Sequence, residues 1–120
     1  MRFFGKTALV TGAAGGIGQA IVAGLRAKGA GVATADRDSS AIAGEAHLDG
    51  DLLNPKYCDG LITATVATLG LIDIIVNNTG VITRGTIDET TDADWALYMG
   101  VNVEAPFRTG RTWGTPPPKV

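Results

Sequence analysis

Residues 11–18 read TGAAGGIG and directly follow a short apolar run, KTALVT, at residues 6–11. Glycines at this spacing can build a phosphate-carrying turn. Gly12 permits a tight exit from a strand, and Gly16, lacking a Cβ, lets backbone approach a pyrophosphate. Gly18 lets the following helix pack closely on a sheet. Free N–H groups and the positive end of the helix dipole then face the anion. An acid, Asp36, stands 18 residues beyond Gly18 at the end of another apolar run. A carboxylate there can accept both hydroxyls of an adenosine ribose and repel a 2′-phosphate. Its neighbour Arg37 can instead pair with that phosphate. The pattern predicts a nicotinamide dinucleotide ligand, with NAD favoured over NADP. A solvated strand-end carboxylate is the plainer alternative for Asp36.

These residues need elements to hold them. Lys6–Thr11 predicts a buried strand and Gly12–Gly18 a turn. Ile17, Ala20, Ile21, Gly24, Leu25 and Lys28 recur at helical spacing up to Gly29, and Gly31–Ala35 predicts a second strand. Strand, glycine turn, helix and strand make one right-handed βαβ unit. Arg37–Gly44 reads as a loop or short helix, and Glu45–Asp49 as a weak third strand. Asn54 is a good N-cap and Pro55 suits the first helical position. Cys58, Leu61, Ile62, Thr65, Val66 and Leu69 then mark one helix face, closed by Gly70. Leu71–Val76 reads as a central parallel strand covered on both faces. Thr91 with Asp94 predicts a capping box, opening a helix with Trp95, Met99 and Val103 on one side and running to about Phe107.

With these segments in place, residues from about Gly5 to Phe107 resemble the N-terminal half of the short-chain dehydrogenase/reductase family. Thr11–Gly18 is similar to that family's TGxxxGxG turn. Asp51-Leu52 resembles the acid–aliphatic pair that touches adenine in the family. Asn77-Asn78-Thr79-Gly80 resembles its NNAG motif, with Thr79 in place of alanine. Asn102, within VNV, resembles the asparagine of the Asn-Ser-Tyr-Lys catalytic tetrad. The resemblance implies hydride transfer between nicotinamide and a small alcohol or ketone, with Asn102 holding a water in a proton relay. It also implies cofactor contacts from Gly12, Gly16, Ile17, Gly18, Asp36, Arg37, Asp51, Leu52, Asn78 and Gly80. Read only as residues, Asp51 has a plainer alternative as a charge at a helix N-terminus. Asn78 is equally a turn asparagine, and Asn102 a polar residue bending its helix.

The expected fold is α/β: a parallel Rossmann-type sheet in order 3-2-1-4 with helices on both faces, an incomplete doubly wound fold. Its last strand is expected to leave an open edge that favours self-association. The tetrad is incomplete here. The chain has two tyrosines, and the residues four beyond Tyr57 and Tyr98 are Leu61 and Asn102, so there is no YxxxK pair. Its serines, Ser39 and Ser40, lie on the expected adenosine side. Residues 1–107 therefore read as a dinucleotide-binding half-domain and residues 108–120 as an irregular, proline-rich tail. The abrupt change of character after Phe107 favours a truncated oxidoreductase. A non-enzymatic dinucleotide- or partner-binding module, or a half-enzyme completed by another chain, are the alternatives.

Composition fits this reading. In 120 residues, 45% are apolar, which permits a core, and ten basic against twelve acidic side chains give a net charge of −2. That balance argues against nucleic acid and anionic membranes as partners. The single cysteine, Cys58, excludes a disulfide framework and is expected in the core, and solitary His47 gives no metal-binding pattern. No signal peptide or long apolar span is read, so a cytoplasmic location is expected.

Overall fold

The computed structural model describes residues 2–80 and 85–113. Four parallel strands, β1 (Thr7–Thr11), β2 (Gly31–Ala35), β3 (Ala46–His47) and β4 (Ile74–Asn77), form one sheet in the order β3-β2-β1-β4. The order and the parallel sense are those expected from the sequence. Four helices accompany them: α1 (Gly16–Ala27), α2 (Pro55–Leu69), α3 (Asp92–Met99) and α4 (Ala105–Arg111). A 3-10 turn covers Ile87–Glu89, and a π-helical turn, Gly100–Glu104, joins α3 to α4.

Side-chain alternation along the strands builds a core on each face of the sheet. Ala8, Val10 and Val32 point to one face and pack with Val22, Ile21 and Leu25 of α1. Leu9, Ala33 and Ala35 point to the other and pack with Leu61 and Ile62 of α2. β1 is thus buried on both sides, which is why Ala8, Leu9 and Val10 run apolar without alternation.

The helix boundaries follow their caps. The Asn54 side chain accepts from Lys56 N at 3.0 Å, with Pro55 at the first helical position, and Gly70 closes α2 at φ +90°. Cys58, Leu61, Ile62 and Thr65 are buried as expected, whereas Val66 lies on the exposed rim of that face. Thr91 and Asp94 form the reciprocal capping box, at 3.0 and 3.1 Å.

Three boundaries differ from the sequence expectation. β4 begins at Ile74 rather than Leu71, because side chains replace part of the ladder before it, where one backbone bond, Asp73 N to Thr7 O at 2.9 Å, remains. Asp73 accepts from Thr7 N through its carboxylate, at 2.9 Å, and the Thr7 hydroxyl bonds the Leu71 carbonyl. β4 is also an edge strand among the described residues, half-buried rather than covered on both faces. β3 shrinks from five residues to two. Glu45 gives its carboxylate to Val32 N at 2.6 Å, and Asp49 turns away to Ser39. Finally, the last helical stretch runs past Phe107 to Arg111. Arg108 and Arg111 pair with Asp59 of α2 at 3.2 and 3.1 Å, and Trp113 Nε1 donates to Ile72 O. These anchors are long-range contacts, invisible to periodicity. Residues 114–120, including the proline run, lie outside the described residues. No helix among the described residues is long and apolar enough to cross a membrane.

Candidate functional site

The carboxyl ends of β1, β2 and β4 converge with the start of α1, as expected for ligand sites in open α/β sheets. Between them lies a cleft of about 550 Å³. Gly12, Gly16, Ile17, Asp36, Arg37, Asp51, Leu52, Asn78 and Gly80 all line it. These are nine of the sequence-derived positions, drawn from four separate segments.

The glycines differ in what they do. Gly12 has φ +64°, and a Cβ there would lie 3.0 Å from Thr79 backbone, so both conformation and the close approach of the segment after β4 require glycine. Gly16 opens α1, and a Cβ on it would meet nothing within 4 Å. It borders free space. Gly18 does not line the cleft. Its Cβ would fall 2.1 Å from Gly12 O, so it locks helix to turn from beneath. No side chain caps α1, and Gly15 at its N-cap leaves the first amides uncovered by protein side chains. Ile17, largely exposed, stands at the cleft mouth.

Asp36 is held by the turn. Its Oδ2 accepts from Ala14 N at 2.9 Å and its Oδ1 from Arg37 N at 2.7 Å. Each oxygen keeps a further lone pair, so the carboxylate can still accept from a ligand hydroxyl. Arg37 is exposed, and among the described residues its guanidinium makes no ion pair. Asp51 turns its Oδ1 to Leu53 N at 2.9 Å, just ahead of α2. Asn78 ties two crests together: its N–H donates to Thr11 Oγ1 at 3.2 Å and its Nδ2 to Gly12 O at 3.1 Å.

Asn102 lies apart from this lining. It sits in the π-helical turn, with its Oδ1 3.4 Å from where a Cβ on Gly80 would stand. Such turns frequently occur at functional sites. The residues of that helical stretch that reach the cleft are Leu97 and Val101. Val101, Ala105 and Thr109 are its buried residues, while Trp95, Met99 and Val103 share the exposed side. Gly15, Gly50, Thr79, Leu97 and Val101 are lining residues absent from the sequence-derived set. Gly15 and Thr79 lay inside the motifs and were legible. Leu97 and Val101 needed the packing of the last helices.

Tyr57, Tyr98, Ser39 and Ser40 do not line the cleft. The Tyr57 hydroxyl donates to Leu48 O beneath Gly50, and burial, reinforced by Asp49, pushes its phenol far above the ordinary 10.0. Ser39 is fully buried and hydrogen-bonded to Asp49. Cys58 is buried too; it donates to Leu52 O at 3.2 Å, and burial pushes its thiol up.

Comparison with known proteins agrees with this geometry. The short chain dehydrogenase family model matches residues 6–113. An uncharacterized oxidoreductase of Thermotoga maritima is 36% identical over 118 residues, covering 89% of this chain and 46% of that protein. The 3-oxoacyl-(acyl-carrier-protein) reductase FabG of Escherichia coli is 33% identical over 119 residues, covering 92% of this chain and 49% of the reductase. A blue fluorescent protein from a metagenomic library, solved in complex with NADPH, superposes with a TM-score of 0.86 at 29% identity. That superposition covers 98% of this chain and 53% of the other. The chain spans about half the length of the curated relatives it matches. On sequence, fold and cleft together, it belongs to the short chain dehydrogenase family.

Proposed function

We propose that this chain binds a nicotinamide dinucleotide and forms the cofactor-binding half of an oxidoreductase acting on an alcohol or carbonyl substrate. The observation that carries this reading is the cleft itself. It joins a glycine turn at an uncapped helix start to Asp36, Asp51–Leu52 and Asn78–Gly80. Gly16 fits such a ligand, because a Cβ there would project into open space that a pyrophosphate can occupy. The α1 amides would hold the phosphates, Asp36 the adenosine ribose and Asp51 the adenine amino group. When bound, the nicotinamide supplies the hydride chemistry. The chain's own contribution is to bind and orient, with Asn102 beside Gly80 at the nicotinamide end.

The reaction further needs a proton donor and an oxyanion partner, and the family's serine and YxxxK pair are not in this sequence. The chain by itself is therefore expected to bind without turnover. NADH absorbance against a panel of alcohols and ketones tests this. Turnover that follows the pure chain and vanishes in Gly16→Trp refutes it.

For cofactor choice the reading is NAD over NADP, set by Asp36. Arg37 supports the opposite choice: it lines the cleft without an ion-pair partner among the described residues. The structural neighbour from the metagenomic library also holds NADPH. Calorimetric titration with both dinucleotides decides. Tighter NAD binding, narrowed by Asp36→Ala, supports Asp36. Tighter NADP binding, lost in Arg37→Ala, gives the choice to Arg37. No binding of either by folded protein refutes the dinucleotide reading.

Self-association is proposed on separate grounds. β4 is an edge strand among the described residues, and Trp95, Met99, Val103 and Phe107 are exposed along the last helices. Light scattering across a dilution series is the measurement, and a monomer throughout refutes it.

A further inference from the structure

Beneath the Asp36 side of the cleft lies a polar cluster outside the family motifs. Asp49 reaches back from the turn before α2 to the loop after β2. Its Oδ2 accepts from Ser39 N at 2.9 Å and its Oδ1 from Ser39 Oγ at 2.6 Å. A carboxylate taking both donors of one residue is a charge-assisted clasp. It joins the two segments that carry Asp36–Arg37 and Gly50–Asp51, which a backbone bond, Gly50 N to Asp36 O at 2.9 Å, also links.

Hydrogen-bond accounting gives the cluster a direction. Ser39 has one hydroxyl hydrogen, and the short contact to an acceptor-only carboxylate takes it. Ser39 Oγ, 2.8 Å from Thr34 Oγ1, must then accept from the Thr34 hydroxyl. The Thr34 hydroxyl has a second, longer acceptor in Ala46 O at 3.3 Å, and with its hydrogen on Ser39 Oγ, Thr34 Oγ1 accepts from an Nδ1–H of His47 at 2.8 Å, a nitrogen that also lies 3.2 Å from Ser39 Oγ. The chain runs His47 to Thr34 to Ser39 to Asp49, each bond polarising the next. Thr34 and Ser39 are fully buried, so water cannot replace either partner without opening the loop.

We propose that Ser39 and Asp49 are a positioning pair that fixes the adenosine end of the cleft, holding Asp36 and Asp51 at the spacing an adenine nucleotide requires. This rests on the dinucleotide reading above. The pair touches no ligand itself. Asp36 and Asp51 project from the two clasped segments, and among the described residues the bonds of Ser39 to Asp49 are the charge-assisted ones that join them.

The test is titration of the whole chain with 5′-AMP, followed by calorimetry and by amide NMR shifts. The unmodified chain is expected to bind, with shifts at Gly15–Ile17 and at Asp36, Gly50 and Asp51. Ser39→Ala and Asp49→Ala are each expected to weaken AMP binding roughly tenfold. The shifts at 36, 50 and 51 are lost while those at Gly15–Ile17 persist at saturating ligand. The double variant is expected to lose no more than either single one, because one clasp is removed in all three. Asp49→Asn, which can still accept from the Ser39 hydroxyl, is expected to fall between, and it carries the test should the alanine variants fail to fold. Unchanged AMP affinity in the folded variants overturns the proposal. So does uniform loss of shifts at both ends of the cleft, which marks a purely structural role. An unmodified, folded chain that ignores AMP overturns the dinucleotide reading instead, and this proposal with it.

Discussion

Three glycines of α1 turn one substitution into three different outcomes. In Gly18→Ala the new methyl falls 2.1 Å from Gly12 O and 2.8 Å from Ala13 Cα, where real Cβ contacts essentially never come under 3.0 Å. Both atoms are backbone, so the turn must move by about 1 Å. Overpacking of this kind costs about 1–3 kcal/mol, and rigid backbone on both sides favours the upper end. Alanine returns about 1 kcal/mol of helix propensity. The net expectation is a loss of about 2 kcal/mol, together with loss of dinucleotide binding, because the displaced atoms belong to the turn proposed to hold the phosphates. Gly24→Ala is the control. It lies on the same helix, exposed, with nothing within 4 Å of its Cβ, so only the propensity gain of about 1 kcal/mol remains and binding is untouched. Gly16→Ala separates the two effects: its Cβ is also unopposed by protein, so stability holds while affinity falls. Urea unfolding reads the first effect. With a slope of about 1–2 kcal/mol per molar, Gly18→Ala lowers the midpoint by about 1–2 M and Gly24→Ala raises it by about half that. A Gly18→Ala chain as stable as Gly24→Ala, still binding dinucleotide, refutes the reasoning from close approach.

Other expectations follow from polar contacts away from the turn. Burial alone would raise the Glu45 carboxyl, but the Val32 N–H and the Arg26 guanidinium outweigh it and hold it below its ordinary 4.5. A depressed carboxyl stabilises the fold above its unfolded value and loses that contribution as pH falls through the folded one. Stability of the unmodified chain should therefore drop more steeply below about pH 4.5 than that of Glu45→Gln, and parallel acid titrations of the two would contradict this. Asp59→Ala removes the carboxylate to which both Arg108 and Arg111 pair in docking α4 on α2 and should cost about 1 kcal/mol, with a smaller difference in high salt; an unchanged urea midpoint would discount the network. The donor chain into Asp49 requires neutral His47 to carry its proton on Nδ1, which nitrogen NMR of the imidazole reports directly. A proton on Nε2 instead would make Nδ1 an acceptor and take His47 out of the donor chain.

The sequence by itself determined the parts of this protein that depend on local chemistry. The βαβ frame, the capped starts of α2 and α3, and the roles of Gly12 and Gly18 all rest on short-range rules of φ, capping and periodicity. The motif spacing also anticipated nine residues of the cleft, since they lie in the turns between strand ends and the helices that follow, or at the start of α1. The tertiary structure decided what depends on distant partners. β4 starts late because Thr7, far away in sequence, draws Asp73 and Leu71 into side-chain bonds. The final helix extends to Arg111 because Asp59 of α2 meets its arginines. Leu97 and Val101 reach the cleft while Trp95 and Met99 face outward, a choice that periodicity cannot make, because a helix pattern gives a face and not the surface it will meet. Ser39 looked like a loop serine and proved fully buried. A polar side chain becomes affordable in a core only when folding brings its partners, here Asp49 and Thr34, within bonding distance.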